Sequence, residues 1–276
     1  VLQLKNVHKV FNEGQPDERV ALAGIDLELK SGDFVTVIGS NGAGKSTLMN
    51  VITGVLAPDA GEIWMDGKEV TRLPEFKRSA RIGRVFQDPM AGTAASLTIE
   101  ENLSIAFTRN KTRTLARGVT KKRRAFFRER LAELNLGLEN RLTAKVGSLS
   151  GGERQALSLL MATLTYPSLL LLDEHTAALD PARAALIAEM TERIVRASRL
   201  TTLMVTHNMQ QAIALGNRLV MMDAGRIVAA FDEEEKKTLT IEKLLAVFQQ
   251  MRSAASDRLL LNAFPPGAGL PGQGGE

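Results

Sequence analysis

Two glycine-rich turns in this chain have the composition of anion sites, and two carboxylates stand at the end of an apolar run between them and the C-terminus. The first turn, GSNGAGKST, runs from Gly39 to Thr47 and matches G-x-x-x-x-G-K-[ST] over Gly39 to Ser46. In the loop formed by Gly39, Ser40, Asn41, Gly42, Ala43 and Gly44, the glycines Gly42 and Gly44 let backbone N–H groups converge on phosphate oxygens. The helix that follows turns its positive dipole end toward them. Lys45 can reach the terminal phosphates, and the Ser46 hydroxyl, beside Thr47, can ligate Mg²⁺. The strand-like DFVTVIG before the loop and the helix-period STLMNVITGVL after it are the context that separates this motif from a chance glycine-rich turn. The chain is therefore expected to bind a nucleoside triphosphate.

The carboxylates lie in LLLLDEHTAALD, where four leucines read as a buried strand ending in Asp173 and Glu174. In an open α/β sheet that end lies in the crevice that also holds the phosphate loop. Asp173 suits a magnesium shell, and Glu174 suits positioning or deprotonating an attacking water. The second glycine turn, LSGGERQ from Leu149 to Gln155, is not explained by either motif. Ser150 can cap a helix opened by Gly151 and Gly152, with Glu153 in the capping-box position. A helix opened in this way is also an anion site, and a chain already holding a triphosphate on its first turn has no second one to offer. The economical reading is a second copy of the chain, facing head to tail, so that each LSGG turn closes over the other's γ-phosphate.

The elements that must position these residues follow from the hydrophobic pattern. LQLKNV and IDLELK alternate as half-buried strands, and DFVTVIG, LLLLD and TTLMVTH are dense apolar runs suited to strands buried on both faces. RLVMMDAGRIV shares that vocabulary, and the intervening ARAALIAEMTERIVRA is helical by period, which indicates β-α-β units and a parallel sheet. From about Asp88 to Ser148 the text turns to helix formers and charges, a candidate helical insert. The expected division is an α/β core over 1–87 and 153–235, a helical subdomain over 88–152, a helical extension over 236–264 and a flexible Pro/Gly-rich tail over 265–276.

Composition narrows the class. The 276 residues include no cysteine, which excludes disulfides and thiol catalysis, and no stretch approaches the roughly 18 apolar residues needed to span a bilayer. The start, VLQLKNVHKVF, lacks the order of a signal peptide, so a cytoplasmic chain is expected. The net charge is +4, with nine Lys or Arg and no acid in residues 109–128. Such a run reads as a solvated helix face or as a surface for lipid headgroups.

Together these residues resemble the nucleotide-binding subunits of ATP-binding cassette (ABC) transporters, from about Leu2 to Phe231. GSNGAGKST resembles that family's Walker A, LLLLDE its Walker B with the catalytic glutamate, and LSGGERQ its signature. The resemblance implies an α/β P-loop NTPase fold, with a mostly parallel RecA-like sheet, an N-terminal antiparallel β part and a helical signature subdomain. It implies ATP and Mg²⁺ as cofactors, with Ser46, Gln87 and Asp173 toward the metal. Gln87, in RVFQDP, falls at the Q-loop glutamine, which contacts Mg²⁺ and the attacking water and senses the membrane partner. His207, in VTHN, falls at the switch histidine that contacts the γ-phosphate, although a strand-end histidine can also be a plain polar cap. Asp180, in AALD, falls in the D-loop that crosses the dimer interface. It joins Ser150, Gly151, Gly152 and Glu153 as residues offered in trans. Phe11 lies about where the family stacks an aromatic ring on adenine, and could equally be core.

The implied partners are a second copy, integral membrane permease subunits and, indirectly, an extracytoplasmic substrate-binding protein, at the cytoplasmic face of the inner membrane. One departure stands out: the family commonly reads D-E-P-T where this chain has DEHT. His175 in place of proline either tunes Glu174 or the dimer contact, or is a surface substitution. DEHTAALDP, VFQDPM and MVTHNM look most like a branch of bacterial importer ATPases, some of which resemble components of aromatic amino acid uptake systems. TAKVGSLSGGERQ also lacks the T-E-V-G-x-x-G of many exporters. The alternative, a soluble ABC ATPase acting on nucleic acid or the ribosome, usually carries duplicated cassettes or a long coiled coil. Here only about sixty residues without sustained heptads separate Gln87 from Leu149, so no nucleic acid is expected. A module that binds ATP only to dimerise has no use for the Glu174, Gln87 and His207 set.

Overall fold

The computed structural model describes residues 1–109 and 118–250. In chain order its strands are β1 (Leu2–Phe11), β2 (Arg19–Leu29), β3 (Phe34–Gly39), β4 (Ala60–Met65), β5 (Lys68–Glu69), β6 (Ile82–Val85), β7 (Leu169–Asp173), β8 (Thr201–Val205), β9 (Arg218–Asp223) and β10 (Arg226–Phe231). The helices are α1 (Lys45–Thr53), α2 (Glu75–Arg78), α3 (Ile99–Thr108), α4 (Lys121–Ala132), α5 (Gly151–Thr163), α6 (Pro181–Ser198), α7 (Met209–Ala214) and α8 (Glu233–Lys237). One sheet has the order β2-β1-β4-β5 and is antiparallel throughout; the other has the order β10-β9-β3-β8-β7-β6. In the second sheet every pairing is parallel except that of β10 with β9. RLVMMDAGRIV is thus not one strand but a hairpin, turned at Ala224 and Gly225, both with positive φ.

The dense apolar strands are buried on both faces, as their composition predicts. Along β7, Leu169 and Leu171 point into a core shared with α1 and the antiparallel sheet, while Leu170 and Leu172 point into a second core with α5 and α6. Period-2 alternation lets one strand serve both cores. In the sheet β3 lies beside β8 and β8 beside β7, so Gly39, Asp173 and Val205 end neighbouring parallel strands, with Asp173 in register with Val205. The loops leaving these three ends meet at one carboxyl-end crevice.

The first helix of the insert, α3, starts at Ile99. Residues 88–98 form turns, tied down by Asn102, which donates to the carbonyls of Ala94 (3.0 Å) and Thr98 (2.9 Å) and accepts from the Ala94 N–H (2.8 Å). Thr98 and Glu101 then close a capping box at the start of α3. Phe127 is fully buried, and its ring lies 5.9 Å from Phe107 and 6.0 Å from Phe126. Within the basic stretch the described arginines have partners in the same chain. Arg124 holds the Glu100 carboxylate with two bonds (2.6 and 2.7 Å), Arg123 donates to the Gly118 carbonyl (2.6 Å), and Arg128 to that of Glu139 (3.4 Å). Residues 110–117 of that stretch lie outside the described residues, as do 251–276, which include the expected flexible tail.

The chain divides into two compact units, Val1–Lys236 and Lys237–Glu276. The last residue of the first unit, Lys236, is buried and donates to the carbonyl of Leu215 and to Thr36 Oγ1 (3.3 Å) on β3. In the second unit, residues 241–250 are helical. Among the described residues no helix is long and apolar enough to cross a membrane.

Arg78 anchors the far end of α1. It is 2% exposed, and its guanidinium donates to the carbonyls of Leu73 (2.8 Å), Thr71 (2.8 Å), Val51 (2.8 Å) and Ile52 (3.0 Å), the last two in the final turn of α1. A cation there bonds carbonyls of the last turn, of which Val51 also accepts from the Gly54 N–H (3.3 Å), and complements the negative end of the helix dipole. Arg78→Met fills a similar volume but removes all four guanidinium bonds. We expect it to cost on the order of 3 kcal/mol, read as a lower urea midpoint at unchanged slope.

Candidate active site

The phosphate loop joins β3 to α1, and its shape depends on missing side chains. A Cβ on Gly39 would stand 2.2 Å from the carbonyl oxygen of Met222 on the neighbouring strand β9. One on Gly44, at φ 99°, would stand 2.3 Å from that of Ala21. The β9–β10 hairpin supports the loop: Ser40 Oγ donates to Asp223 Oδ1 (2.9 Å) and Gly225 N–H to the Ala43 carbonyl (3.1 Å). The hairpin residues are a part of the site that the motif does not reveal; the DAG turn in MMDAGRIV was their signal.

The first turn of α1 has no side-chain cap and no acidic residue. By contrast α3, α4, α5, α6 and α7 start on side-chain caps from Thr98, Thr120, Ser150, Asp180 and Asn208. Uncapped N–H groups at a helix start take an anion from outside, so this donor set fits a triphosphate. Lys45 is 7% exposed and donates to the loop's own carbonyls at Gly39 (2.8 Å) and Ser40 (3.0 Å). Burial holds its ammonium below the usual lysine value, while the Glu174 and Asp173 charges act in the opposite direction. To contact a phosphate it exchanges two carbonyl oxygens for phosphate oxygens.

Glu174 follows β7 with a positive φ of 43°, a strained conformation for a non-glycine residue, held by its N–H bond to the Val205 carbonyl (2.9 Å). Its Oε2 lies 3.3 Å from Nδ1 of His207, whose side chain is 59% exposed. His207 is not a helix cap, because Asn208 fills that role for α7. Asp173 is half-buried, and its Oδ2 accepts from Arg84 Nη2 (3.0 Å). Arg84 was not singled out in the sequence; a charge inside the apolar strand IGRV was the only signal. Gln87 lies exposed just beyond the end of β6. Phe11, at the end of β1, is half-buried and belongs to neither core, with Lys9 Nζ 5.8 Å from its ring centre. Ser46 is exposed and Thr47 half-buried in the first turn of α1. Among the described residues no group of three or more His, Asp or Glu could hold a metal alone. A divalent ion at Ser46 and Asp173 would need phosphate oxygens to complete its shell, which is how Mg²⁺ commonly binds.

The second glycine turn is a capping box. Ser150 Oγ accepts from the Glu153 N–H (3.3 Å), Glu153 Oε2 accepts from the Ser150 N–H (2.7 Å), and Glu153 Oε1 holds Arg141 (2.7 Å). The turn packs on the start of α6: Gly151 faces Leu179 and Gly152 faces Arg183, the residue that also pairs with Asp180 (3.3 Å). Ser150 and Asp180, both exposed, therefore flank this packing, with Gly151 half-buried and Gly152 buried.

His175 is not a surface substitution: it is 1% exposed and sits against α6. Its Nε2 lies 3.0 Å from Thr191 Oγ1, and that hydroxyl donates its proton to the Ile187 carbonyl (2.7 Å). Nε2 must then carry the imidazole hydrogen, which leaves the buried Nδ1 without a partner. Protonation would put a charge and an unpaired N–H in an apolar enclosure, and burial accordingly pushes the pKa down to about 4.

Residues 22–177 match the family described as ABC transporter. Over 250 residues, 90% of this chain and 99% of the relative, the chain is 43% identical to a tyrosine transport ATP-binding protein of Clostridioides difficile. It is 34% identical to the methionine import ATP-binding protein MetN 2 of Enterococcus faecalis, covering 88% of this chain and 67% of that one. Among solved structures, the dimeric post-hydrolysis state of the ATP-binding cassette MJ0796 bound to ADP and Pi superposes with a TM-score of 0.73, at 27% identity, over 84% of this chain and 99% of that one.

The His175 geometry sets a pH dependence of stability. A folded pKa of about 4 against an ordinary 6.5 means that the unfolded chain binds the proton first. The contribution is complete above pH 6.5 and is lost as pH falls toward 4, by about 3 kcal/mol in all. His175→Gln, neutral throughout, is expected to lose that much less stability over the same interval. Urea unfolding of both proteins at a series of pH values measures it; parallel curves would contradict the assignment.

Proposed function

The chain belongs to the ABC transporter family as an ATP-binding, ATP-hydrolysing subunit, and from that premise we propose how its residues divide the work and what it drives. Lys45, the N–H groups of the loop from Gly39 to Gly44 and those of Ser46 and Thr47 take the phosphates, and Phe11 stacks on the adenine ring. Ser46, Asp173 and Gln87 would hold Mg²⁺, which would neutralise charge on the phosphate oxygens. Glu174 orients a water in line with the γ-phosphorus and takes its proton; as the new P–O bond forms, the bond to the ADP oxygen breaks, releasing ADP and inorganic phosphate. His207, 3.3 Å from Glu174, contacts the γ-phosphate and stabilises the spreading charge together with Lys45.

Each site is completed by a second copy placed head to tail. The observation that carries this reading is the proximity of the Ser150–Gly151–Gly152 turn to Asp180, with Gly151 facing Leu179 and Gly152 facing Arg183, which pairs with Asp180. The N–H groups of Gly151 and Gly152 are offered to the partner's γ-phosphate, and Glu153 serves by locking the turn. Hydrolysis removes the bridge between the copies and the dimer opens.

That motion is passed to permease subunits at the cytoplasmic face of the membrane. Beside Gln87 a groove of about 1000 Å³ runs between the core and the insert, lined by residues that include Phe86, Ala91, Gly92 and the exposed Phe76 and Ile105. Its apolar rims suit a short cytoplasmic helix of a permease. The names of the transport and import relatives favour import, with a substrate-binding protein outside the membrane. The tyrosine transport relative, matched over nearly its whole length, favours an aromatic amino acid as the solute.

Light scattering tests the dimer. The Glu174→Gln variant with Mg-ATP is expected to double from the 30.0 kDa of one chain, and with Mg-ADP to remain single. A single chain under both conditions, with nucleotide bound, would count against the trans assignment. The absence of cysteine makes the docking surface equally testable. Single cysteines between Met90 and Thr98 are expected to crosslink to the cognate permease, whereas cysteines at positions 233–235 on α8 are not.

A further inference from the structure

We propose that Arg84 sets how tightly Asp173 takes a divalent cation: its guanidinium is a resident counter-charge on that carboxylate, which an incoming Mg²⁺ has to share. The inference rests on the reading of Asp173 as a magnesium ligand and adds a positioning residue to it.

Arg84 stands inside β6 between Gly83 and Val85, with its side chain 15% exposed. Three elements hold its guanidinium. Nη2 donates to Asp173 Oδ2 at the end of β7 (3.0 Å), Nη1 donates to Asn50 Oδ1 on α1 (3.0 Å), and the Phe86 ring centre lies 4.7 Å from Cζ. The planar group is therefore fixed in orientation and cannot leave the carboxylate without losing the Asn50 bond and the ring contact as well. Its Nε is buried and has no partner, so the cation is not completing a hydrogen-bond network there. The charge of Asp173 is its strongest partner.

Before nucleotide arrives, the cluster holds two negative side chains, Asp173 and Glu174, and two positive ones, Lys45 and Arg84. Lys45 is committed to the phosphates once a triphosphate binds, but Arg84, on the other side of β7's end, remains with Asp173. Two cations that share one carboxylate repel each other, and each lowers the other's gain from it. Taking away the Arg84 charge should therefore tighten the divalent ion. If Arg84 did no more than point Asp173 at the metal, its loss would loosen the ion instead.

The experiment compares the native chain with Arg84→Gln, Arg84→Met and Arg84→Lys, using Mn²⁺ as a paramagnetic stand-in for Mg²⁺ and a saturating, non-hydrolysable ATP analogue. The resonance of free Mn²⁺ gives its dissociation constant without any turnover. The two neutral variants are expected to bind Mn²⁺ roughly three- to tenfold more tightly, and the lysine variant to stay close to native. An unchanged or weakened constant in both neutral variants overturns the proposal. Gln retains donors for Asn50 and Asp173 and so gives the answer if Met fails to fold, which thermal melting reports. Binding of a fluorescent ATP analogue, followed separately, distinguishes the two levels of the argument. Nucleotide uptake with no shift for Mn²⁺ removes only the role of Arg84; no uptake by the native chain removes the reading of the site with it.

Discussion

The start of α1 is the constraint around which the rest of the structure is arranged. A helix whose first turn is left without a side-chain cap is unstable at that end, and the surroundings have to hold it from every other direction. Arg78 secures its last turn, Gly44 lets it approach Ala21 on β2 without a Cβ between them, and Asn50 ties its middle to Arg84 and so to Asp173. Leu48, Met49, Val51 and Ile52 bury its apolar side in the core between the two sheets. The donors at the helix start remain open because stability is supplied elsewhere, which is the general arrangement of a preorganised anion site.

Charge in the crevice follows the same logic. Lys45, buried, is held by two carbonyls of its own loop, and the Glu174 and Asp173 charges stabilise its ammonium against that burial. Glu174 is kept in a left-handed backbone conformation by the Val205 carbonyl, a strain of order 1–3 kcal/mol that only a surrounding fold can sustain. That strain turns the residue after β7 toward His207 and the end of β8. The two carboxylates at the strand end thus point to different tasks through backbone geometry: Asp173 still carries the strand's register, and Glu174 has left it.

How much of this was legible in the sequence depended on how local each feature is. The phosphate loop, the strand ending in Asp173 and Glu174, and the capping box of Ser150 and Glu153 are written in short stretches, where glycine spacing and period-2 or period-3.6 patterns carry the information. The pairs that complete the site are not local. Arg84 meets Asp173 across 89 residues and Ser40 meets Asp223 across 183, and only the strand order of the sheet brings them together. His175 lay between a surface reading and a tuning reading because burial is decided by α6, whose Thr191 covers it. The start of the insert is likewise fixed at a distance: residues 88–98, with Pro89, Gly92 and Ser96, form turns that Asn102 of α3 ties down.

On the proposed head-to-tail reading, α5 joins a chain's own half-site to the half it would offer its partner. α5 carries the signature turn at its start, and a few residues later it reaches back to the segment around Gln87. Gln155 Nε2 donates to the Phe86 carbonyl (3.4 Å), and Arg154 donates to Met90 Sδ (2.8 Å) and to the carbonyls of Gly147 (3.2 Å) and Leu149 (2.8 Å). Phe86 in turn lies against Arg84, and Arg84 holds Asp173. A contiguous series of contacts therefore runs from the LSGG turn through α5 and the segment around Gln87 to Asp173, and it passes along the groove where a permease helix is proposed to dock. On that reading, a displacement of α5 by a partner copy and a displacement of residues 86–92 by a permease act on the same contacts. The physical warrant for coupling is this shared set of bonds, because two events that strain the same bonds cannot be energetically independent.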